Sequence, residues 1–303
     1  MNFTIIKEVF ILFLIMLVGI FVRKKNIISE ESIGSMSNFL IKVSLPFLIL
    51  SSFNYKITHS VIHNAILIFI FSTIIHIFLY ILSKLLALKL PKENKAICVF
   101  SNLFSNSGFM GYPIMAGLYG KLGVFYTAIY GIPYCIFLFS IGIILFNKEE
   151  NNKLKIIKNI VFSPGIIATL IGIILIIFNL ELPSPIQLTL SYIGNMTTPL
   201  SMIIVGAMLS SINLKEMFKE KLLYYISFTK LILIPILIFF LTTILGATPF
   251  IRSICVLLEA LPVAVVCSVF ASSFKVKPEF AAQCVFITTI FSIITIPIIM
   301  NIV

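Results

Sequence analysis

Ten apolar runs, each about as long as the roughly 20 residues that one helical bilayer crossing requires, occupy most of the chain. They cover about 3–22, 33–53, 61–83, 96–118, 124–146, 160–180, 187–209, 222–245, 253–273 and 280–301. The connections between them are short, so no soluble domain fits there. With 60% hydrophobic and 11% charged residues, a chain of 303 residues has far more apolar side chain than a soluble core of that size can hide. Such a sequence requires lipid as its solvent. The expected fold is therefore an all-α membrane protein of ten transmembrane helices.

The charged residues punctuate these runs. A net charge of +11 is compatible with nucleic-acid binding, but the 22 Lys and Arg form no single basic face and no nucleic-acid motif accompanies them. Their placement sets orientation instead. With the N-terminus outside, the connections after spans 1, 3, 5, 7 and 9 are cytoplasmic. These connections hold Arg23, Lys24 and Lys25; Lys84, Lys89, Lys92 and Lys95; Lys148, Lys153, Lys155 and Lys158; Lys215, Lys219 and Lys221; and Lys275 and Lys277. Only Lys7, Lys56, Lys121 and Arg252 then lie outside, while Lys42 and Lys230 fall within spans. Both termini are expected to be extracytoplasmic, in a cell membrane. The first run is a span and not a signal peptide, because its basic cluster follows the apolar stretch and no small-residue cleavage site is visible. The five Cys all sit within spans without metal-ligand spacing, which makes them small packing residues. No cofactor or metal is expected.

A weak internal repeat divides the chain into 1–150 and 151–303. "PKENKAICVFSN" around span 4 matches "PFIRSICVLLE" around span 9: at one offset Lys95 meets Arg252, Ile97 to Val99 meet Ile254 to Val256, and Asn102 meets Glu259. "NFLIKVSLPFLIL" in span 2 likewise matches "SYIGNMTTPLSMI" in span 7, placing Pro46 on Pro199 and Lys42 on Asn195. Each half holds five spans. An odd number reverses the second copy in the membrane, giving a five-plus-five inverted repeat of the kind that lets a central site open to either side in turn.

Span 4 contains "SNLFSNSGFMGYPIMAG", a stretch ill suited to an unbroken helix. Gly108 and Gly111 each cost a helix about 1 kcal/mol and Pro113 about 3 kcal/mol. Backbone groups freed by a break must face protein or water and not lipid. Asn102, Ser105, Asn106 and Ser107 add side-chain donors and acceptors at that depth. Span 9 has Glu259 and Pro262 at the matching depth in "LLEALPVAVVCS". Two interrupted helices at corresponding places of two halves point to a substrate site, and the positive N-terminal ends of the following half-helices favour an anion.

These residues also carry a family likeness. "NSGFMGYPIMAGLYG" resembles the span-4 signature of the auxin efflux carrier family, in which an Asn precedes a Gly-x-Pro crossover. "SPGIIATLIGIIL" with "PLSMIIVGAML" resembles its sixth and seventh spans, and "KLILIPILI" with "EALPVAVVCSVFASSFKVKPEFAAQCVF" its eighth to tenth. The resemblance implies a homodimeric carrier in which spans 1, 2, 6 and 7 form a scaffold and spans 3–5 and 8–10 a mobile transport unit. It also implies a small carboxylate or auxin-like substrate, with Asn106 and Pro113 at the crossover and Pro262 marking the ninth-span break. A second ninth-span proline of the plant carriers falls on Cys267 here, and their long loop between spans 5 and 6 shrinks to "NKEENNKLK".

Other polar residues leave alternatives open. Glu259 is the only acid deep in a span and serves either as a proton or cation site or as a structural partner of Lys42 or Lys230. Lys42 either attracts a carboxylate or snorkels along its stem, and snorkelling is the stronger reading for Lys230. His76 is a second coupling-ion candidate, with a hydrogen bond to a neighbouring helix as the alternative. Asn195 and Tyr130 complete the candidate substrate site; Tyr126, Tyr130 and Tyr134 lie on one face of span 5. The function these features point to is secondary transport of a small organic anion by elevator-type alternating access. A sodium-coupled symporter of the bile-acid type is the alternative within the fold, and a channel is a third option. An intramembrane enzyme fits poorly, because the chain has no Asp for an aspartyl dyad and no His-Glu-x-x-His.

Overall fold

The computed structural model of the chain describes residues 2–53, 58–146, 157–158, 161–178, 180–210 and 220–302, and every regular element among them is a helix. The elements are α1 (Asn2–Lys24), α2 (Glu30–Ser52), α3 (His59–Leu86), α4 (Lys92–Leu103), α5 (Ser107–Phe146) and α6 (Pro164–Ile177). They continue with α7 (Ser184–Leu209), α8 (Lys221–Ile244), α9 (Pro249–Glu259), α10 (Val266–Ser273) and α11 (Pro278–Ile302). The "NKEENNKLK" loop and the basic residues Lys56, Lys148, Lys153, Lys155, Lys215 and Lys219 lie outside the described residues.

Among the described residues, six helices, α2, α3, α5, α7, α8 and α11, are long and apolar enough to cross a membrane. The fourth, fifth and ninth expected runs do not become three separate long helices, and local chemistry explains why. α5 is 40 residues long. As a straight helix it would reach about 60 Å, twice the roughly 30 Å of bilayer hydrocarbon. Gly120 breaks it, at φ 58° and ψ −143°, in the left-handed half of backbone space that glycine enters freely. A Cβ added at Gly123 would strike the Met115 carbonyl oxygen, so the chain doubles back at this point. The fourth and ninth runs are each split in two, as α4 with the start of α5, and as α9 with α10.

Four five-residue stretches widen into π turns: Leu40–Ser44, Ser107–Gly111, Leu138–Gly142 and Thr229–Leu233. In α2 and α8 the wide turn runs up to a proline, Pro46 and Pro235, whose missing N–H and bulky ring already disturb the helical ladder.

Packing is closest where glycines let backbones touch. α1 lies against α7, where a Cβ on Gly19 would collide with the Ile203 carbonyl oxygen and one on Gly206 with that of Met16. α2 packs on α6 and α7, and there Ser44 Oγ lies 2.7 Å from Thr197 Oγ1, within the two stretches that the repeat superposes. α3 packs on α4 and α5, α8 on α9, and α10 on α11.

The two split helices meet at their interruptions. Ser105 and Val263 form an antiparallel bridge, with the Asn106 N–H donating to the Pro262 carbonyl at 2.8 Å and the Ala264 N–H to the Phe104 carbonyl at 3.0 Å. The Val263 N–H donates to Thr288 Oγ1 at 3.1 Å. Each break thus supplies partners for backbone groups that the other has freed, which is the condition for leaving helical geometry in an apolar interior.

Candidate functional site

Asn102 and Glu259, which the repeat superposes, occupy the last turns of α4 and α9. Both are held by neighbouring residues of the π turn in α8. Thr229 Oγ1 donates to Asn102 Oδ1 at 2.9 Å, and Lys230 Nζ lies 3.4 Å from Glu259 Oε2. The Lys230 and Glu259 side chains are 0% and 1% exposed, so this is a buried ion pair. Lys230 therefore does not snorkel. Its ammonium points into the protein, where a carboxylate compensates it.

Hydroxyls complete the cluster. Ser105, in the first interruption, accepts from Lys230 Nζ at 2.6 Å and donates to Glu259 Oε2 at 2.7 Å. Tyr130 Oη donates to the other carboxylate oxygen at 2.7 Å. One helical turn further along α5, Tyr134 Oη donates to the Ser105 carbonyl at 3.0 Å. Tyr126, the third tyrosine of that face, packs edge-on against Phe125 and Phe250. Lys230, Glu259, Ser105 and Tyr130 thus join α8, α9, the break between α4 and α5, and the second part of α5 through one polar network, and such networks fix geometry only when every member is satisfied.

Asn106 opens the second half of the split helix. Its Oδ1 accepts from the Phe109 N–H at 3.4 Å, capping α5, while its Nδ2 has no hydrogen-bond partner although the residue is only 2% exposed. Its amide N–H pairs with Pro262, as described above. Ser107 is buried beside it, with its N–H on the Ser105 carbonyl at 2.8 Å. Gly108 borders open space, since a Cβ there would meet nothing within 4 Å, whereas one at Gly111 would come within 3.0 Å of the Leu261 side chain. Pro113 is buried in the first turn after the π stretch.

His76 is fully buried on α3. Its Nδ1 donates to the Ser72 carbonyl at 2.7 Å, its Nε2 has no partner, and its ring sits 5.6 Å from that of Tyr130 and 5.7 Å from that of Tyr134. Lys42 and Asn195 are exposed and are not brought to the crossing. Of the residues that close it, Lys230 carried a mid-span charge as its sequence signal. Thr229 and Thr288 carried none, because a hydroxyl in a helix ordinarily bonds its own preceding turn.

Residues 4–300 match the family described as membrane transport protein. The chain belongs to this family, the auxin efflux carriers. Both interruptions and every residue of the Glu259 cluster lie within the matched region of this auxin efflux carrier homologue. It is 27% identical over 290 residues to an uncharacterized transporter of Methanothermobacter thermautotrophicus, covering 94% of this chain and 93% of that protein. It is 26% identical over 298 residues to an uncharacterized transporter of Methanocaldococcus jannaschii, covering 95% of each. A third relative, named "Putative malonate transporter", from Rhizobium meliloti, is 31% identical over 144 residues, which is 47% of this chain and 44% of that protein. The chain is a multi-pass membrane transporter and not an enzyme.

Proposed function

We infer that this transporter is a secondary carrier of a small organic anion, a mono- or dicarboxylate of about the size of malonate, in the cell membrane. One observation carries the reading: Asn106, buried at the junction of the two interrupted helices, keeps an amide donor without a partner at the N-terminus of a helix. A buried donor costs free energy until something accepts from it, and a carboxylate is a strong acceptor that the helix end also attracts. The name of the Rhizobium meliloti relative agrees with that chemistry.

The finer architecture belongs to the same proposal. Counting α5 as two crossings and each split helix as one gives ten spans in two inverted halves, 1–150 and 151–303. The Ser44–Thr197 contact between repeat-related stretches supports that symmetry. Spans 1, 2, 6 and 7 serve as the scaffold of a homodimer, and the unit containing the crossing moves against it in an elevator-type cycle. Asn102, Ser105, Asn106, Ser107, Gly108, Gly111, Pro113, Tyr130, Glu259 and Pro262 form the binding region or hold it in shape. Lys42 and Asn195, both exposed in one chain, contribute only if movement or a second subunit brings them in.

Uptake of labelled malonate, malate, succinate and the monocarboxylates acetate and lactate into proteoliposomes tests the assignment. Saturable flux is expected for at least one of them, falling at least tenfold in Asn106→Ala, which corresponds to about 1.4 kcal/mol of lost interaction. Flux that is unchanged in that variant, or absent for every mono- and dicarboxylate tried, refutes the assignment.

A further inference from the structure

The Lys230 ammonium meets oxygens contributed by separate parts of the chain: Ser105 Oγ, in one interruption, and Glu259 Oε2, at the end of the helix that precedes the other. The C-terminal ends of α4 and α9 converge on this place and bring partial negative charge. The hydroxyls of Ser105 and Tyr130 already donate to the carboxylate, so hydrogen bonding to it does not depend on Lys230. What Lys230 alone supplies is positive charge. A carboxylate this deeply buried requires such charge, and oxygen donors of this kind suit a hard cation as well as an ammonium.

We propose that the Lys230 ammonium occupies a monovalent-cation site between the two interrupted helices, and that shortening this side chain turns the place into a binding site for a free alkali cation. In the wild-type protein the cation is tethered to α8 and needs no exchange with solution. Truncation to alanine removes the four-carbon stem and the ammonium, leaving room for a small ion with water beside Ser105 and Glu259. The inference goes beyond the transport reading and is independent of it, because unfolding rather than flux is measured.

Thermal unfolding of the full-length protein in detergent is compared in lithium, sodium, potassium and choline chlorides at equal ionic strength. The wild type is expected to unfold at one midpoint in all four. Lys230→Ala is expected to show a midpoint that rises with lithium or sodium concentration above its value in choline, as linkage to a single site requires. Adding Glu259→Gln should abolish that rise. Lys230→Gln, which keeps a hydrogen-bonding side chain, serves as the second variant and should respond in the same direction. Equal midpoints in alkali and choline salts for either folded variant overturn the proposal. So does an alkali-specific rise in the wild type, and so does failure of both variants to fold in alkali salts, since the added ion is expected to replace the missing charge. Absence of carboxylate transport by the wild-type protein, with this cation response present in the Lys230 variants, would reject the transport reading alone.

Discussion

Replacing Lys230 with Met leaves the Glu259 carboxylate buried with only the hydroxyls of Ser105 and Tyr130 as partners. Breaking a buried ion pair by removing one member costs about 3–5 kcal/mol, whereas neutralising both members is often close to neutral. In choline salts, Lys230→Met is expected to lose stability on that scale, and Lys230→Met with Glu259→Gln to regain most of it. Denaturation midpoints arranged as a double-mutant cycle check this; strictly additive losses would show that the two charges are not coupled. Tyr130→Phe removes one hydrogen bond to a charged acceptor, worth about 1.5–3 kcal/mol, and Tyr134→Phe one to a carbonyl, worth about 0.5–1.5 kcal/mol, so the first should lower the midpoint more. Glu259 was legible in the sequence because an acid inside an apolar run is expensive and needs a reason to be there. The direction of Lys230 was not. Sequence gives depth along a helix, but the face presented depends on turn geometry, and the π turn Thr229–Leu233 changes that face without any residue that announces it. Lys42 shows the same limit in reverse: it has a similar distance to a proline, yet its side chain is exposed.

Interrupted helices were the most legible elements, because glycine and proline write their effect locally: Pro262 lies where α9 gives way to α10, and Gly108, Gly111 and Pro113 lie in the first turns of α5, just past the break itself, which falls on Phe104–Asn106. Their mutual pairing was hidden, since the Ser105–Val263 bridge joins residues far apart in sequence through backbone atoms that every residue type possesses. The close contact of α1 with α7 was hidden for a related reason: Gly19 and Gly206 look like any glycines in apolar runs until a neighbouring carbonyl is seen beside each. Gly206→Val should force the two helices apart, an overpacking cost of about 1–3 kcal/mol, and lower both the unfolding midpoint and the yield of folded protein. Gly108→Ala adds its methyl group to open space and should leave the midpoint nearly unchanged. If the two substitutions act equally, backbone proximity is not what fixes the α1–α7 contact.

At the scale of the whole molecule, the apolar runs establish residence in a membrane, and membership of the auxin efflux carriers makes the chain a transporter. Its orientation rests on the distribution of basic residues, and the interrupted fourth segment allows that distribution to be tested together with its own crossing. Lys89 and Lys121 are both exposed and flank α4 and the first part of α5. Between them lie roughly 25 helical residues, about 37 Å at 1.5 Å each and enough to span some 30 Å of hydrocarbon. Four of the five native cysteines are buried and Cys135 is half-buried, so labelling of introduced thiols should stand above that of the unaltered protein. With the N-terminus outside, Lys121→Cys should react with a membrane-impermeant maleimide in intact cells, and Lys89→Cys only after permeabilisation. The opposite pattern would invert the topology while keeping the crossing. Reaction of both thiols from outside would mean that the interrupted segment enters and leaves by the same face, and the carrier would then lack the through-membrane junction on which alternating access depends.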